Sequence, residues 1–347
     1  MLIMADFLPL IVVGFAASLG LTPLTRQIAR RLGVMDAPSS RKLQRAPIPL
    51  MGGLAIYGAF ILALVLFHPW SSNYKGELAT IILTATWLAF VGLVDDRIDL
   101  RPWIKFPAQA LAAVFMIGSG IEVQLFANPL LNALVTFAWI VGIINAVNFL
   151  DNMDGLAAGI SAIAAFFMFI LSISQGQELV SAMSAALCGS AIGFLIYNFN
   201  PASTFMGDMG SMVLGFLLAV LGIKLRFPTH TFAEGSWFLP ILVLGLPIFD
   251  TTLVVFSRLR EGRSPLQGGR DHTSHRLVFV GLSHRMAVIA LYVVCILLGI
   301  AAVVASQSPA GVANTIAGIV AVVGVCAFIV LEIVRIRQLR SIVPKSS

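Results

Sequence analysis

The chain has 347 residues, of which 59% are hydrophobic and only 11% charged, with a formal net charge of +6 and a mean hydropathy of +0.96. That balance excludes an ordinary soluble domain. Apolar runs near the ~20 residues needed to cross a bilayer recur from one end to the other, so the sequence predicts an all-α, polytopic transmembrane bundle forming one integral-membrane domain over 1–347. About eleven helices are expected, with ten as the alternative count, at 7–25, 50–67, 78–94, 103–121, 129–147, 156–174, 179–197, 211–225, 237–256, 286–305 and 311–334. Phe7–Leu24 does not read as a cleavable signal, because Asp6 stands where a basic n-region belongs. Cys188, Cys295 and Cys326 sit inside apolar runs and read as small packing residues.

Basic residues divide unevenly between the two sides. Arg26, Arg30, Arg31, Arg41, Lys42 and Arg45 fill the first loop, and Arg97, Arg101 and Lys105 follow helix three. Arg258, Arg260, Arg263, Arg270, Arg276 and Arg285 surround the loop after helix nine, and Arg335, Arg337, Arg340 and Lys345 end the chain. Only Lys75, Lys224 and Arg226 fall on the other side. The positive-inside rule therefore predicts a cytoplasmic first loop and C-terminus and an outer N-terminus. Asp95, Asp96, Asp99, Asp151, Asp154, Asp208, Asp250 and Asp271 map to the basic, cytoplasmic side. Glu77, Glu122, Glu178 and Glu234 are single acids in outer loops.

Five polar stretches interrupt the apolar sequence. Arg41–Gly53 combines basic residues with Pro47-Ile-Pro49 and a glycine pair. The prolines stiffen it, Gly52 and Gly53 permit close backbone approach, and Lys42 and Arg45 are candidate phosphate donors. Val91–Arg97 ends a helix on Asp95-Asp96. Each ionised side chain at membrane depth costs about 2.5–3.5 kcal/mol, which argues for metal or proton work. The alternative is an interfacial pair neutralised by Arg97 and Arg101. Lys105 is a candidate phosphate contact, or a snorkelling side chain.

Asn145–Gly159 carries Asn148, Asp151 and Asp154 three residues apart, a spacing that predicts one side of a helical turn offered to a nucleoside or a cation. Asn198–Ser211 holds Pro201, Phe205 and Gly207-Asp208, which suits a bound cation or phosphate, with Ser211 expected to cap the next helix. Gly268–Leu277 presents His272, His275, Arg270 and Arg276 after a glycine pair, and reads as an anion-binding loop in preference to a metal site. Asp250 is expected to pair with a loop arginine.

Together these stretches resemble the polyprenyl-phosphate N-acetylhexosamine-1-phosphate transferase family, in one order from Lys42 to Arg276. The resemblance implies that Asp95 and Asp96 match an Asp pair serving the lipid phosphate and the metal. It implies that Asn198 and Asp208 attend metal and diphosphate, so that Asp208, Asp96 and Asn198 are the expected metal ligands. Phe205 matches an aromatic stacked on uracil, and Asn148, Asp151 and Asp154 match nucleoside-side residues. Lys105 matches a phosphate-contacting lysine, Lys42 or Arg45 a basic residue beside the proline turn. His272 and His275, followed by Arg276, match the first and last imidazoles of a His-x-His-His-Arg-Leu pattern, with Ser274 in place of the middle one.

The implied reaction is transfer of HexNAc-1-phosphate, GlcNAc-1-phosphate by preference, from a UDP-sugar to undecaprenyl or polyprenyl phosphate, with release of UMP. The implied cofactor is Mg²⁺, with Mn²⁺ as a substitute. Implied partners are UDP-HexNAc, the polyprenyl phosphate and the bilayer, with no nucleic acid and with a homodimer as a candidate assembly. Rival readings are a UDP-MurNAc-pentapeptide phosphotransferase, an ion-coupled secondary transporter and a CDP-alcohol phosphotransferase. A transporter should carry its acids near the midplane. The last rival needs an arginine soon after Asp154-Gly155, which this chain lacks.

Overall fold

The computed structural model describes residues 4–37, 46–67, 74–226 and 236–342, so Lys42 and Arg45 lie outside the described residues. Thirteen α-helices are described: α1 (Met4–Leu32), α2 (Gly52–Phe67), α3 (Lys75–Ile98), α4 (Pro102–Gly118), α5 (Pro129–Leu150), α6 (Leu156–Ser174), α7 (Glu178–Asn198), α8 (Gly207–Lys224), α9 (Leu239–Val243), α10 (Gly245–Arg260), α11 (Thr273–Phe279), α12 (His284–Ser306) and α13 (Ala310–Ile342). Eight of them, namely α1, α3, α5, α6, α7, α8, α12 and α13, are long and apolar enough to cross a membrane. The chain is a polytopic helical membrane protein.

Every expected helix is present, with two departures. The ninth is broken into α9 and α10 at Leu244, because Pro247 has no N–H to donate to the carbonyl four residues back. The short α11 lies inside the loop after it, where seven residues are too few to show a helical period. The sole sheet among the described residues is a two-residue antiparallel pairing of β1 (Met35–Asp36) with β2 (Ile48–Pro49).

Lipid solvates apolar surface as well as a protein core does, so the more apolar spans can lie outside and the small-residue-rich ones at the centre. Accordingly α6, α7 and α8 are buried on nearly every face, whereas α13 exposes almost all of its apolar surface. Small residues permit the closest approaches. Gly14 on α1 lies against the Ala186 carbonyl and Ser190 of α7, and Gly189 and Gly193 lie against Ile11 and Phe15. Gly215 brings α8 onto Ile144 of α5. The three free cysteines divide as two buried and one exposed, Cys326.

The helices alternate in direction, so their junctions fall at two ends. At one end an Arg97 Nη1–H bonds the Leu32 carbonyl at 3.3 Å, joining the last turns of α3 and α1. At the other, Lys224 is ion-paired to Glu77, and the Arg226 amide donates to Gln177 at 3.1 Å. The polar stretches 46–53, 95–105, 148–155, 198–211 and 258–276 all belong to the first end.

Candidate active site at one end of the bundle

The N-terminus of α8 is the meeting point. Its first amides have no partner within the helix, and a carboxylate from another helix supplies one. Asp96, in the last turn of α3, accepts the Asp208 amide at 2.6 Å and the Met209 amide at 3.3 Å. Gly207 has φ +72°, and the Asp96 carboxylate occupies the space a Cβ would need, so only glycine fits. Ser211 is therefore a full turn inside α8 and is not its cap. The helix starts earlier than expected because the carboxylate of α3 closes its end.

Asp95 points elsewhere. One oxygen accepts the Leu100 amide at 2.6 Å, and the other is ion-paired to Lys105 of α4. The same ammonium lies 3.0 Å from Asp208 Oδ2. Asp208 Oδ1 accepts from the Asn148 amide of α5, which also donates to Ser211 at 2.8 Å. Four helices thus place Asp95, Lys105, Asn148 and Asp208 around one point, where a cationic group bridges two carboxylates.

Asn148 and the two acids after it do not form one helical row. Helix α5 ends at Leu150, Asp151 is its C-cap, and Asp154 lies in the turn before α6. The row fails because the chain turns at 151–155 and Gly155 takes φ +79°. Burial, then the charges of Asp208, Asp96 and Asp154, push the Asp151 carboxyl up to about 8, so these acids share one region. Asp154 braces the next loop, accepting Asn200 Nδ2–H and the Ala202 amide, both at 3.0 Å.

That loop, 199–206, is held on every side. Asn198 is 1% exposed; it accepts the Gly155 amide at 3.1 Å and donates to the Thr204 carbonyl at 3.0 Å. The proline-glycine segment runs alongside it. Phe205 donates its amide to the Pro49 carbonyl at 2.9 Å, and the Gly52 and Gly53 amides return to the Phe205 and Met206 carbonyls, both at 2.9 Å. A Cβ on Gly53 would enter Gly210 and one on Gly92 would enter Met209, which accounts for those glycines. The Phe205 ring is half-buried at the site's edge.

The histidine segment borders the same region. His272 Nδ1 lies 2.8 Å from Asp250 Oδ2, and the Thr273 amide donates to Asp250 Oδ1 at 2.6 Å. Asp250 therefore pairs with an imidazole instead of the expected arginine, because the loop guanidinium is already engaged. Arg258 grips Asp271 at 2.8 and 3.0 Å, and Arg263 reaches the same carboxylate at 2.6 Å. Burial opposes ionisation of Asp271, but these two guanidiniums hold it well below the usual carboxylate range. Ser274 donates to Asn152 at 2.7 Å, linking α11 to the 151–155 turn.

Arg276 is 0% exposed and faces inward: it bonds the Asp271 carbonyl at 2.9 Å, Ser257 at 2.5 Å, and Glu332 and the Leu331 carbonyl of α13, each at 2.8 Å. It fastens α11 to α10 and α13 and does not face the acid cluster. His275 is the more exposed imidazole. Burial, then the charges of His272, Arg270 and His284, lower it to about 4, so it is neutral near pH 7.

Of the residues expected at the site, Asp95, Asp96, Lys105, Asn148, Asp151 and Asp208 converge, with Asp154 and Phe205 in the loops beside them, Asn198 at the end of α7, His272 at the cap of α11 and His275 on it. Gln109, Asn152 and Tyr292 were not singled out from the sequence. Gln109 accepts from Asn145 at 2.6 Å across α4 and α5, and Tyr292 donates to the Gly155 carbonyl at 2.5 Å. A glutamine within an apolar helix was a readable signal; a lone tyrosine on a distant helix was not.

Among the described residues, no three His, Cys, Asp or Glu side chains converge on one metal-holding point. Magnesium asks less of a protein than that, since it keeps several waters and takes one or two carboxylates with substrate phosphates. The all-oxygen pair of Asp95 and Asp208, facing a shared cation, fits that chemistry. Asp96 accepts the Asp208 and Met209 amides, and Asn198 is engaged with the Gly155 amide and the Thr204 carbonyl.

The profile of glycosyl transferase family 4 matches residues 78–226, which span the acid cluster and the 199–206 loop. A probable undecaprenyl-phosphate N-acetylglucosaminyl 1-phosphate transferase of Bacillus subtilis (strain 168) is 35% identical over 308 residues, covering 85% of this chain and 84% of its own. A decaprenyl-phosphate N-acetylglucosaminephosphotransferase of Mycolicibacterium smegmatis (strain ATCC 700084 / mc(2)155) is 32% identical over 78% of this chain and 75% of its own. An undecaprenyl-phosphate alpha-N-acetylglucosaminyl 1-phosphate transferase of Yersinia pestis is 26% identical over 84% and 82%.

Proposed function

Because the chain belongs to glycosyl transferase family 4, among the polyprenyl-phosphate N-acetylglucosaminyl 1-phosphate transferases, we propose that it moves GlcNAc-1-phosphate from UDP-GlcNAc to undecaprenyl phosphate at the cytoplasmic face of the inner membrane. The observation that carries this reading is the bridging of Asp95 and Asp208 by Lys105 at one end of the bundle. The acceptor's tail requires lipid, while its phosphate and the nucleotide require water. A charged site at the helix ends serves both, and the basic loops of that end support the cytoplasmic assignment.

The chemistry is one displacement. An oxygen of the lipid phosphate forms a bond to the β-phosphorus of the donor, and the bond from that phosphorus to the bridging oxygen breaks, releasing UMP. No proton need be removed, because the attacking oxygen is already anionic. Lys105 draws the lipid phosphate towards Asp208 and offsets repulsion between two anions. Helix α4 carries exposed Trp103, Ile104 and Phe106 beside that lysine, a surface suited to the polyprenyl tail.

Asn148 fixes the Asp208 carboxylate, and Asp96 fixes the helix end bearing it. The half-buried Phe205 ring is suited to stack on uracil. Asp95 and Asp208 would hold Mg²⁺, which when bound screens the diphosphate and withdraws charge from the phosphorus.

Purified protein supplied with Mg²⁺, UDP-GlcNAc and undecaprenyl phosphate is expected to release UMP, and Asp208→Asn to abolish release while the fold persists. Failure of a whole panel of UDP-sugars to give UMP would reject the reading.

A further inference from the structure

We infer that Asp250 is a positioning residue of the site, setting His275 towards the donor by fixing His272 and the first turn of α11. This rests on the transferase reading above. Asp250 is 0% exposed, and a carboxylate so deeply placed needs partners for both oxygens. It has them: Oδ2 takes the His272 imidazole at 2.8 Å, and Oδ1 takes the Thr273 amide at 2.6 Å. One side chain therefore fixes both the residue before α11 and the first amide of α11, so the helix starts at a defined point on α10.

The imidazole so held is not aimed at solvent. His272 is 5% exposed, its ring stands edge-on to Phe149 at 6.1 Å, and its second nitrogen lies 3.5 Å from Arg258 Nη2. Its surroundings leave it a fixed wedge between α10 and the end of α5. His275 follows one turn later, with its ring 6.3 Å from His272 at 64°, and keeps part of its surface open. Between them Ser274 is clasped to Asn152, whose own amide donates to the Phe149 carbonyl at 2.7 Å and so presents its oxygen to the serine.

Anchored by Asp250 at its start and by Ser274 to the acid-bearing turn, α11 has little freedom to swing, and His275 inherits its position from both. The group it would meet follows from location. Lipid approaches along the exposed face of α4, so the polar turn at 151–155, against which α11 lies, is left for the sugar diphosphate. A neutral imidazole there can donate one hydrogen bond to a phosphate oxygen.

The test is a double-mutant cycle on the full-length protein in detergent or nanodiscs, using UMP release. Asp250→Asn is expected to lower kcat/KM for UDP-GlcNAc by about tenfold or more, as loss of an orienting partner does, with the KM for undecaprenyl phosphate unchanged. In a His275→Ala background the same substitution should change kcat/KM by less than about twofold, since its effect passes through that imidazole. Full additivity, or equal losses for both substrates, would overturn the inference. His272→Gln breaks the same bond and replaces Asp250→Asn in the cycle if that variant does not fold. A second readout needs no turnover: amide hydrogen exchange over 272–279 should quicken in either variant while that of α12 does not, and unchanged protection would equally overturn it. Absence of UMP release from the unmutated protein would count against the transferase reading alone.

Discussion

Gly207→Ala is the smallest change that should disturb the site without touching a charged side chain. An L-residue held at φ +72° is strained by about 1–2 kcal/mol. The new Cβ would also enter the Asp96 carboxylate, which must then release one or both of the Asp208 and Met209 amides. An unsatisfied buried amide costs about 1–3 kcal/mol. Together these give on the order of 3 kcal/mol or more, a sizeable part of a stability of about 5–15 kcal/mol.

Gly318 on α13 supplies the control, because a Cβ there meets nothing. Gly318→Ala should be neutral or stabilising by about 0.5–1 kcal/mol. Thermal unfolding of the solubilised protein, followed by tryptophan fluorescence, compares the two. UMP release should fall sharply in Gly207→Ala, because the displaced helix end carries Asp208. If Gly207→Ala melts and turns over like Gly318→Ala, the account of Asp96 as the cap of α8 is wrong.

Arg276→Met takes from Glu332 one of its two guanidiniums, leaving Arg260 at 2.7 Å, and removes the donor to the buried Asp271 carbonyl, so it should cost about 1–3 kcal/mol, read as a lowered melting temperature. An unchanged melting temperature would contradict the inward role given to Arg276. By contrast Glu77→Gln, at the far end of the bundle and partly open to solvent, should cost no more than about 1 kcal/mol and leave UMP release intact. Phe205→Ala should raise the KM for UDP-GlcNAc more than that for the lipid, and equal losses would undo the stacking assignment. His275 falls from 6.5 to about 4 on folding, so below pH 6.5 the unfolded chain takes a proton that the folded chain refuses. Its contribution to stability should therefore shrink as the pH falls from 6.5 towards 4, and His275→Gln should flatten the melting profile in that window; identical profiles would refute the assignment.

How much the sequence revealed depended on whether a residue's partner was local. Helix spans followed from apolar run length, which lipid demands of each segment separately. The polar stretches stood out because an apolar chain seldom carries idle carboxylates at its helix ends. Partner choice did not follow. Nothing local said that Asp250 would find His272 or that Arg276 would face Glu332, since those pairings form only when α10, α11 and α13 meet. The spacing of Asn148, Asp151 and Asp154 misled for a related reason: the period is helical, but α5 ends at Leu150 and the chain turns over 151–155.

The adjacent pair Asp95-Asp96 shows how one stretch can answer two demands. Successive residues of an α-helix point about 100° apart, so two neighbouring carboxylates in a last turn cannot serve one point equally. Asp96 turns to the open amides of α8, where the dipole of that helix favours an anion. Asp95 is thereby directed at Lys105, and Lys105 at Asp208, which α8 carries in its first turn. The acid that fixes the helix end and the acid that faces the shared cation are therefore joined through one backbone. Any shift of α8 that would move Asp208 must first break the bonds to Asp96, so the precision of the charged cluster is set by a helix cap rather than by the cluster's own ion pairs.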